Sequence, residues 1–158
     1  MVYDSVSSAK TTAKVAEAIA AALRGKGLEV ASLPVEDAKH IRVEDYDALI
    51  VGTPTMAWAP TQGITGFLNG LKSEGLRGKK AASFDTQLRS LLSGNANRAM
   101  ESRLKKMGFE IACPHLLSYV KHESGGYHLL DGEVHKAEGL ADALLRCPGP
   151  DAVLGQQP

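Results

Sequence analysis

Residues Asp47-Ala-Leu-Ile-Val-Gly-Thr53 form a short, nearly unbroken apolar run entered through an acidic residue. A strand with one wet face alternates polar and apolar side chains, so an unbroken run marks a strand covered on both faces, as in parallel sheets. The same reading makes Lys80-Ala-Ala-Ser-Phe-Asp85 the fourth strand and Phe109 to Cys113 the fifth, with Leu117 to Val120 continuing the sheet edge after Pro114. Val2 and Tyr3 form the stub of the first strand, and Leu28 to Leu33 the second, closed by Pro34.

Between these runs apolar residues recur at helical spacing. Val15, Ala16, Ile19, Ala20 and Leu23 line one face after Thr12, and Gly25 and Gly27 end that helix. Ile64, Phe67, Leu68 and Leu71 do the same over Gly63 to Leu71. Ala96, Ala99, Met100, Leu104 and Met107 mark a helix over Asn95 to Met107, stopped by Gly108. The last helix, about Gly132 to Arg146, carries Val134, Ala137, Leu140, Ala141, Leu144 and Leu145. Strand–helix alternation with short connections implies a parallel sheet with helices on both faces. The expected fold is a single three-layer α/β/α domain over residues 1–146, a doubly wound five-stranded parallel sheet in the order 2-1-3-4-5. The tail from Cys147, PGPDAVLGQQP at its end, has little to bury, so residues 147–158 are expected to fray.

A chain of 158 residues is long enough for one real core. Its 18 basic residues cancel 18 acidic ones, which argues against the basic stripe of a nucleic-acid binder. No apolar run approaches the ~20 residues of a membrane helix. The start, MVYDSVSSAK, lacks the basic-then-apolar layout of a secretory signal, and Cys113 and Cys147 are too few for a disulfide scaffold. These features point to a reducing cytoplasm. Only Val2 and Tyr3 precede the first loop, against a typical ~5–6 residues, so the native start is expected several residues upstream of Met1. The intact mass of the native protein tests that expectation.

In doubly wound sheets ligands sit beyond the carboxyl ends of the strands, at the switch point. Three loops lie there: 4–12, 53–62 and 85–94. The first, Asp4 to Thr12, runs into a helix N-terminus, where unpaired N–H groups and the helix dipole favour an anion. Capping such a helix takes one or two hydroxyls. Here Ser5, Ser7, Ser8, Thr11 and Thr12 supply five, and Lys10 adds a full charge, so the loop reads as a phosphate site. The second loop holds the only tryptophan, Trp58, between Pro54 and Pro60, with Thr55 and Met56 beside it. A proline-stiffened loop can offer a flat ring to a planar ligand; the plainer reading has Trp58 packed over the sheet end. The third loop opens with Asp85, Thr86 and Gln87, whose polar groups suit the edge of a heterocycle. Its plainer reading is a solvated connection.

On these residues the chain resembles the flavodoxin-like family. The resemblance rests on Val2-Tyr-Asp-Ser5, the hydroxyl loop up to Lys14-Val-Ala16, Ile50-Val-Gly-Thr-Pro-Thr55 and Ser83-Phe-Asp-Thr86. From Gly94-Asn-Ala-Asn-Arg98 to Lys105-Lys-Met-Gly-Phe109 it is similar to the small single-domain flavodoxin-family proteins, so the likeness spans residues 2–146. It implies noncovalent FMN across the three loops, with electron or hydride transfer at its ring. The phosphate falls to Ser5, Ser7, Ser8, Lys10, Thr11 and Thr12. One ring face falls to Pro54, Thr55, Met56 and Trp58, the other to Asp85, Thr86 and Gln87. A redox partner protein or a small acceptor follows, and a homodimer is compatible. The chain departs from the family in having Ser8-Ala9-Lys10 where glycine and asparagine or histidine are usual, and in lacking a tyrosine near Gln87 and Leu88. It is also neutral, where electron-carrier flavodoxins are typically acidic. The alternatives are a flavin-free interaction module and an FMN-dependent reductase of quinones or other small acceptors.

Other motifs are set aside. A phosphoryl-receiver domain needs an acidic residue where Gly52-Thr53 ends the third strand. Neither G-x-G-x-x-G, the Walker loop nor a G-x-S-x-G elbow is present. His115, His122, His128 and His135 lack a recognised ligand spacing, so no metal is expected. No side chain stands out as a nucleophile or proton donor, which leaves catalysis to the flavin.

Overall fold

The computed structural model describes residues 1–90 and 94–146. The elements alternate as expected: β1 (Val2–Tyr3), α1 (Thr11–Gly25), β2 (Leu33–Pro34), β3 (Ala48–Pro54), α2 (Gln62–Gly70), β4 (Lys80–Leu88), α3 (Ala96–Lys106), β5 (Glu110–Ile111), β6 (Leu116–Glu123), β7 (Gly126–Leu129) and α4 (Lys136–Arg146). The sheet runs β2-β1-β3-β4-β6-β7, with β5 pairing the lower part of β4. The order 2-1-3-4 and the parallel pairing among these strands bear out the sequence reading.

Beyond β4 the fold departs from five parallel strands. The fifth position is shared: β5 pairs Lys80 and Ala81, and β6 pairs Phe84 to Leu88, both parallel to β4. Pro114, which has no N–H to give a ladder, lies in the break between them. β6 then runs past β4 and turns back through Ser124 and Gly125, both at positive φ, into the antiparallel strand β7. The sheet is therefore mixed and seven-stranded. The second strand is also shorter than the expected Leu28 to Leu33. Its only ladder partners on β1 are Val2 and Tyr3, which pair Leu33 and Pro34, so β2 is no longer than the strand beside it. Two 3₁₀ turns, Val35–His40 and Val43–Asp45, make the crossover from β2 to β3. The last helix begins at Lys136 rather than near Gly132, and Val134 and Leu145, expected inward, are exposed.

Alternation along the strands feeds two cores. Ile50, Ala82 and Phe84 face α1 and α4, packing with Val15, Ile19, Leu140 and Ala141. Leu49, Val51 and Ala81 face the other way, onto Ile64, Leu68, Met100 and Leu104 of α2 and α3. A cavity of about 1100 Å³ lies at the opposite end of the sheet from the candidate loops, lined by Met1, Val30, Ala31, Ala48, Ile50 and Leu144 among others. The Met1 ammonium, largely buried beside it, donates to the Ala31 carbonyl at 2.6 Å, and burial pushes its pKa down to about 6. Among the described residues no helix is long and apolar enough to cross a membrane. The tail expected at 147–158 and residues 91–93 of the third loop lie outside the described residues.

Candidate functional site

Each of the three loops leaves the carboxyl end of a strand, and hydrogen bonds join them. The first is fixed at its root by the Asp4 N–H on the Gly52 carbonyl, 3.0 Å. It then turns tightly, with the Lys10 N–H on the Ser7 carbonyl, and delivers Lys10 to the N-cap of α1 at φ 51. A lysine in this left-handed region is strained, by about 1–2 kcal/mol. The Ser5 hydroxyl accepts from the Ala13 N–H (3.2 Å), and the Ser7 hydroxyl lies 3.5 Å from the Thr11 nitrogen. Lys10 Nζ folds back onto the Ser5 carbonyl at 2.9 Å. The first turn of α1 contains no acidic residue, so the helix itself carries no carboxylate against the positive end of its dipole. Ser8 and Lys10 are exposed, Ser5 and Ser7 half-buried and Thr11 buried.

Thr12 lies deeper. It is 1% exposed, and its hydroxyl meets the Thr86 hydroxyl at 2.8 Å across the α1–β4 contact. That pair ties the start of the first loop's helix to the root of the third loop.

The second loop is held at both ends. The Thr55 N–H donates to the Thr86 carbonyl at 2.9 Å, and the Thr61 N–H donates to the Thr53 hydroxyl at 3.1 Å. Between them Met56 and Ala59 exchange both backbone hydrogen bonds, closing a two-residue turn on Ala57 and Trp58. Both have positive φ, 46 and 66. A turn of that shape normally selects asparagine and glycine. Two strained non-glycine residues persist only where the surroundings hold them, and such strain gathers at functional sites. Its result is that Met56 and Trp58 stand 52% and 63% exposed, with the indole resting against Gly94 at the far end of the third loop.

β4 continues to Leu88, three residues past the expected end of the strand, and this decides where its polar residues point. Asp85, Thr86 and Gln87 are all buried. Asp85 is 0% exposed and lies beneath the loops rather than on them. Its Oδ2 accepts the Thr55 hydroxyl at 2.8 Å and the Ala96 N–H of α3 at 3.1 Å. Burial pushes its pKa up to about 6, against the pull of those two donors and of His115. The carboxylate thus caps α3 from outside the helix, next to Asn95, whose side chain accepts from the Asn97 N–H. Asp85 Oδ1 and Gln87 Oε1 are buried acceptors without a hydrogen-bond partner among the described residues. A polar chain missed by the sequence reading runs behind them. Ser83 donates to Glu101 (3.2 Å), Glu101 meets His115 Nδ1 (3.0 Å), and Asn95 meets His115 Nε2 (3.2 Å). The spacing Ser83-x-Asp85 on one strand face was the available signal.

Chemically, the site offers an anion seat of hydroxyls, one ammonium and a helix start, and an exposed indole on a rigid turn. Buried acceptors lie below, suited to a donor such as a ring N–H. That donor set fits a phosphorylated planar heterocycle. Among the described residues no group of three or more His, Cys, Asp and Glu could hold a metal.

No family model and no curated protein matches the chain in sequence. Its fold, by contrast, is shared with solved structures. Oxidised flavodoxin 1 from Bacillus cereus superposes with a TM-score of 0.76 at 22% identity, covering 92% of this chain and 95% of that one. A flavodoxin from the domain Archaea gives 0.73 at 22% identity over the same shares. Rubredoxin oxygen:oxidoreductase from Desulfovibrio gigas gives 0.75 at 21% identity, covering 98% of this chain and 36% of that one. The chain has the flavodoxin-like fold.

Proposed function

We propose that the chain is a flavin-binding redox protein that holds FMN noncovalently at the three loops. The observation that carries this reading is the placement, at one end of one sheet, of an acid-free helix start rich in hydroxyls and of Trp58, 63% exposed on a strained turn. The fold shared with flavodoxins supports it. In this reading Ser5, Ser7, Ser8, Lys10 and Thr11 bind the phosphate. Ser5 and Ser7 exchange their present N–H partners for it, and Lys10 leaves the Ser5 carbonyl. Thr12 and Thr86 brace the seat from beneath. Met56 and Trp58, backed by Pro54 and Thr55, cover one ring face, and Gln87 offers an acceptor from the end of β4.

Bound flavin supplies electron or hydride transfer to a redox partner protein or a small acceptor. The protein's own contribution is to bind, orient and partly shield the ring. A cytoplasmic setting goes with this reading.

A second reading is favoured by one observation: the Ser5 hydroxyl already satisfies α1, and Lys10 satisfies the first loop. A loop complete in itself suits a flavin-free interaction module. A reductase of quinones or similar acceptors belongs to the first reading and needs the ring face that Trp58 does not cover to stay open. The test is an absorbance spectrum followed by titration with FMN and riboflavin. FMN binding much tighter than riboflavin is expected; binding of neither overturns the proposal and leaves the interaction module.

A further inference from the structure

Thr55, Asp85 and Ala96 come from the second loop, β4 and α3, and they meet in a closed triangle. The Thr55 hydroxyl and the Ala96 N–H both donate to Asp85 Oδ2, at 2.8 and 3.1 Å, and the same N–H lies 3.2 Å from Thr55 Oγ1. Trp58 stands three residues after Thr55, and its indole rests on Gly94, two residues before Ala96. Both ends of the triangle therefore bear on the one exposed aromatic of the site.

We propose that Asp85 is a proton-operated positioning residue, whose carboxylate ties the second loop to the start of α3 and whose uptake of one proton loosens that tie and the seat of Trp58. An ionised carboxylate accepts hydrogen bonds about twice as strongly as a neutral group, so the tie is tightest when Asp85 is charged. Oδ1, buried and without a hydrogen-bond partner among the described residues, is the atom that takes the proton.

Few charged groups face this carboxyl. The second loop and α2 carry no ionisable side chain between Thr53 and Gly70. From α3 comes Glu101, already held by Ser83 and His115; Arg98, on the same helix, is exposed. From the β5–β6 connection comes His115, whose charge favours ionised Asp85. On β4 itself Lys80 lies at the far end, and Arg89, just past the strand, lies over the Tyr119 ring. Asp85 is thus the group in this neighbourhood whose titration reaches Thr55 directly. What the seat holds rests on the flavin reading; the tie itself does not.

The test is the emission of Trp58, the single tryptophan, titrated from pH 8 to pH 4.5 without added flavin. The expected result is a one-proton transition with a midpoint near 6, absent in Asp85→Asn. In Thr55→Val, which removes a donor to the charged form, the midpoint moves upward, and this variant serves if Asp85→Asn fails to fold. His115→Gln retains a transition. A flat wild-type titration, or one that Asp85→Asn leaves in place, overturns the proposal. With FMN present, affinity is expected to fall about fivefold or more below the midpoint, relative to the change in Asp85→Asn. That comparison removes the ligand phosphate's own ionisation near pH 6. A transition lost in Asp85→Asn without any FMN binding leaves the tie standing and sinks the flavin reading. Equal pH dependence of affinity in the two proteins overturns the link between tie and seat.

Discussion

Trp58 occupies the space that a side chain at Gly94 would need. A Cβ built on Gly94 falls inside contact distance of Trp58 Cδ1, Cγ and Cβ, and Gly94 itself has φ 71. Close approach and left-handed backbone both require glycine there. The second and third loops thus meet through one indole lying on one bare Cα, although 36 residues separate them in sequence. In Gly94→Ala the indole must leave its seat, so its emission is expected to shift toward that of a fully solvated tryptophan. Loss of flavin binding should accompany it, with about 1–2 kcal/mol of stability from the backbone strain. Trp58→Ala should also weaken flavin binding but keep stability within about 1 kcal/mol, since the side chain is mostly exposed. Emission spectra, flavin titrations and urea melts separate the two; a Gly94→Ala protein with unchanged emission contradicts the contact.

The strand end beneath the loops depends on a second bare Cα. A Cβ on Gly52 falls within the ring of Phe84, which is 0% exposed and opposite it in the β3–β4 register. Neither neighbour has room to yield, because Phe84 is packed between α1 and the sheet. Gly52→Ala is expected to cost about 3 kcal/mol, the upper end for overpacking. Pairing it with Phe84→Leu should recover part of that loss. Denaturant midpoints of the two single variants and the double provide the cycle; strict additivity would show that the contact is not the cause.

The frame of the molecule was legible because its signals are repeated. Val15, Ile19 and Leu23 on α1 and Leu49 and Val51 on β3 state period and burial several times over. The site was less legible, because parity depends on where a strand ends. With β4 closed at Asp85, residues 85–87 read as loop and as ring contacts. With β4 running to Leu88, Asp85 and Gln87 fall on the α3 side and Thr86 on the α1 side, all buried. The split fifth strand had a visible cause in Pro114, but no local signal says that both halves stay on β4. The hydroxyl-rich stretch does run into the start of α1, as its spacing implies, yet the pairing of Ser5 with Ala13, eight residues apart, is a tertiary outcome.

Lys10 separates charge from backbone in the first loop. Its φ of 51 suits glycine, whereas its ammonium suits a phosphate. Lys10→Gly is expected to keep stability within about 1 kcal/mol, as relief of strain offsets the added freedom of the unfolded chain. The preference for FMN over riboflavin should fall by about tenfold, the loss of one charge-assisted hydrogen bond. Parallel titrations with both flavins read this directly. An unchanged preference means that Lys10 does not meet the phosphate.

Two buried groups at opposite ends of the sheet set opposite slopes of stability with pH. The Asp85 carboxyl has its pKa raised from 3.8 to about 6, so between those values the folded chain holds a proton that the unfolded chain has lost. Stability therefore falls as pH rises through that window, by about 3 kcal/mol at most, at 1.36 kcal/mol per unit. In a chain that starts at Met1, the Met1 ammonium is lowered from 8.0 to about 6, so there the unfolded chain holds the extra proton and stability rises from pH 6 to pH 8 by a similar amount. Together they produce a trough near pH 6. Asp85→Asn should flatten the acid limb alone. Acetylating the α-amino group, which faces the cavity of about 1100 Å³, should flatten the alkaline limb alone. Urea melts at half-unit pH steps measure both limbs. Monotonic stability across pH 4–8 in the unmodified protein would show that at least one of the two groups is not desolvated as its burial requires, whereas loss of one limb in each altered protein assigns the trough to this pair.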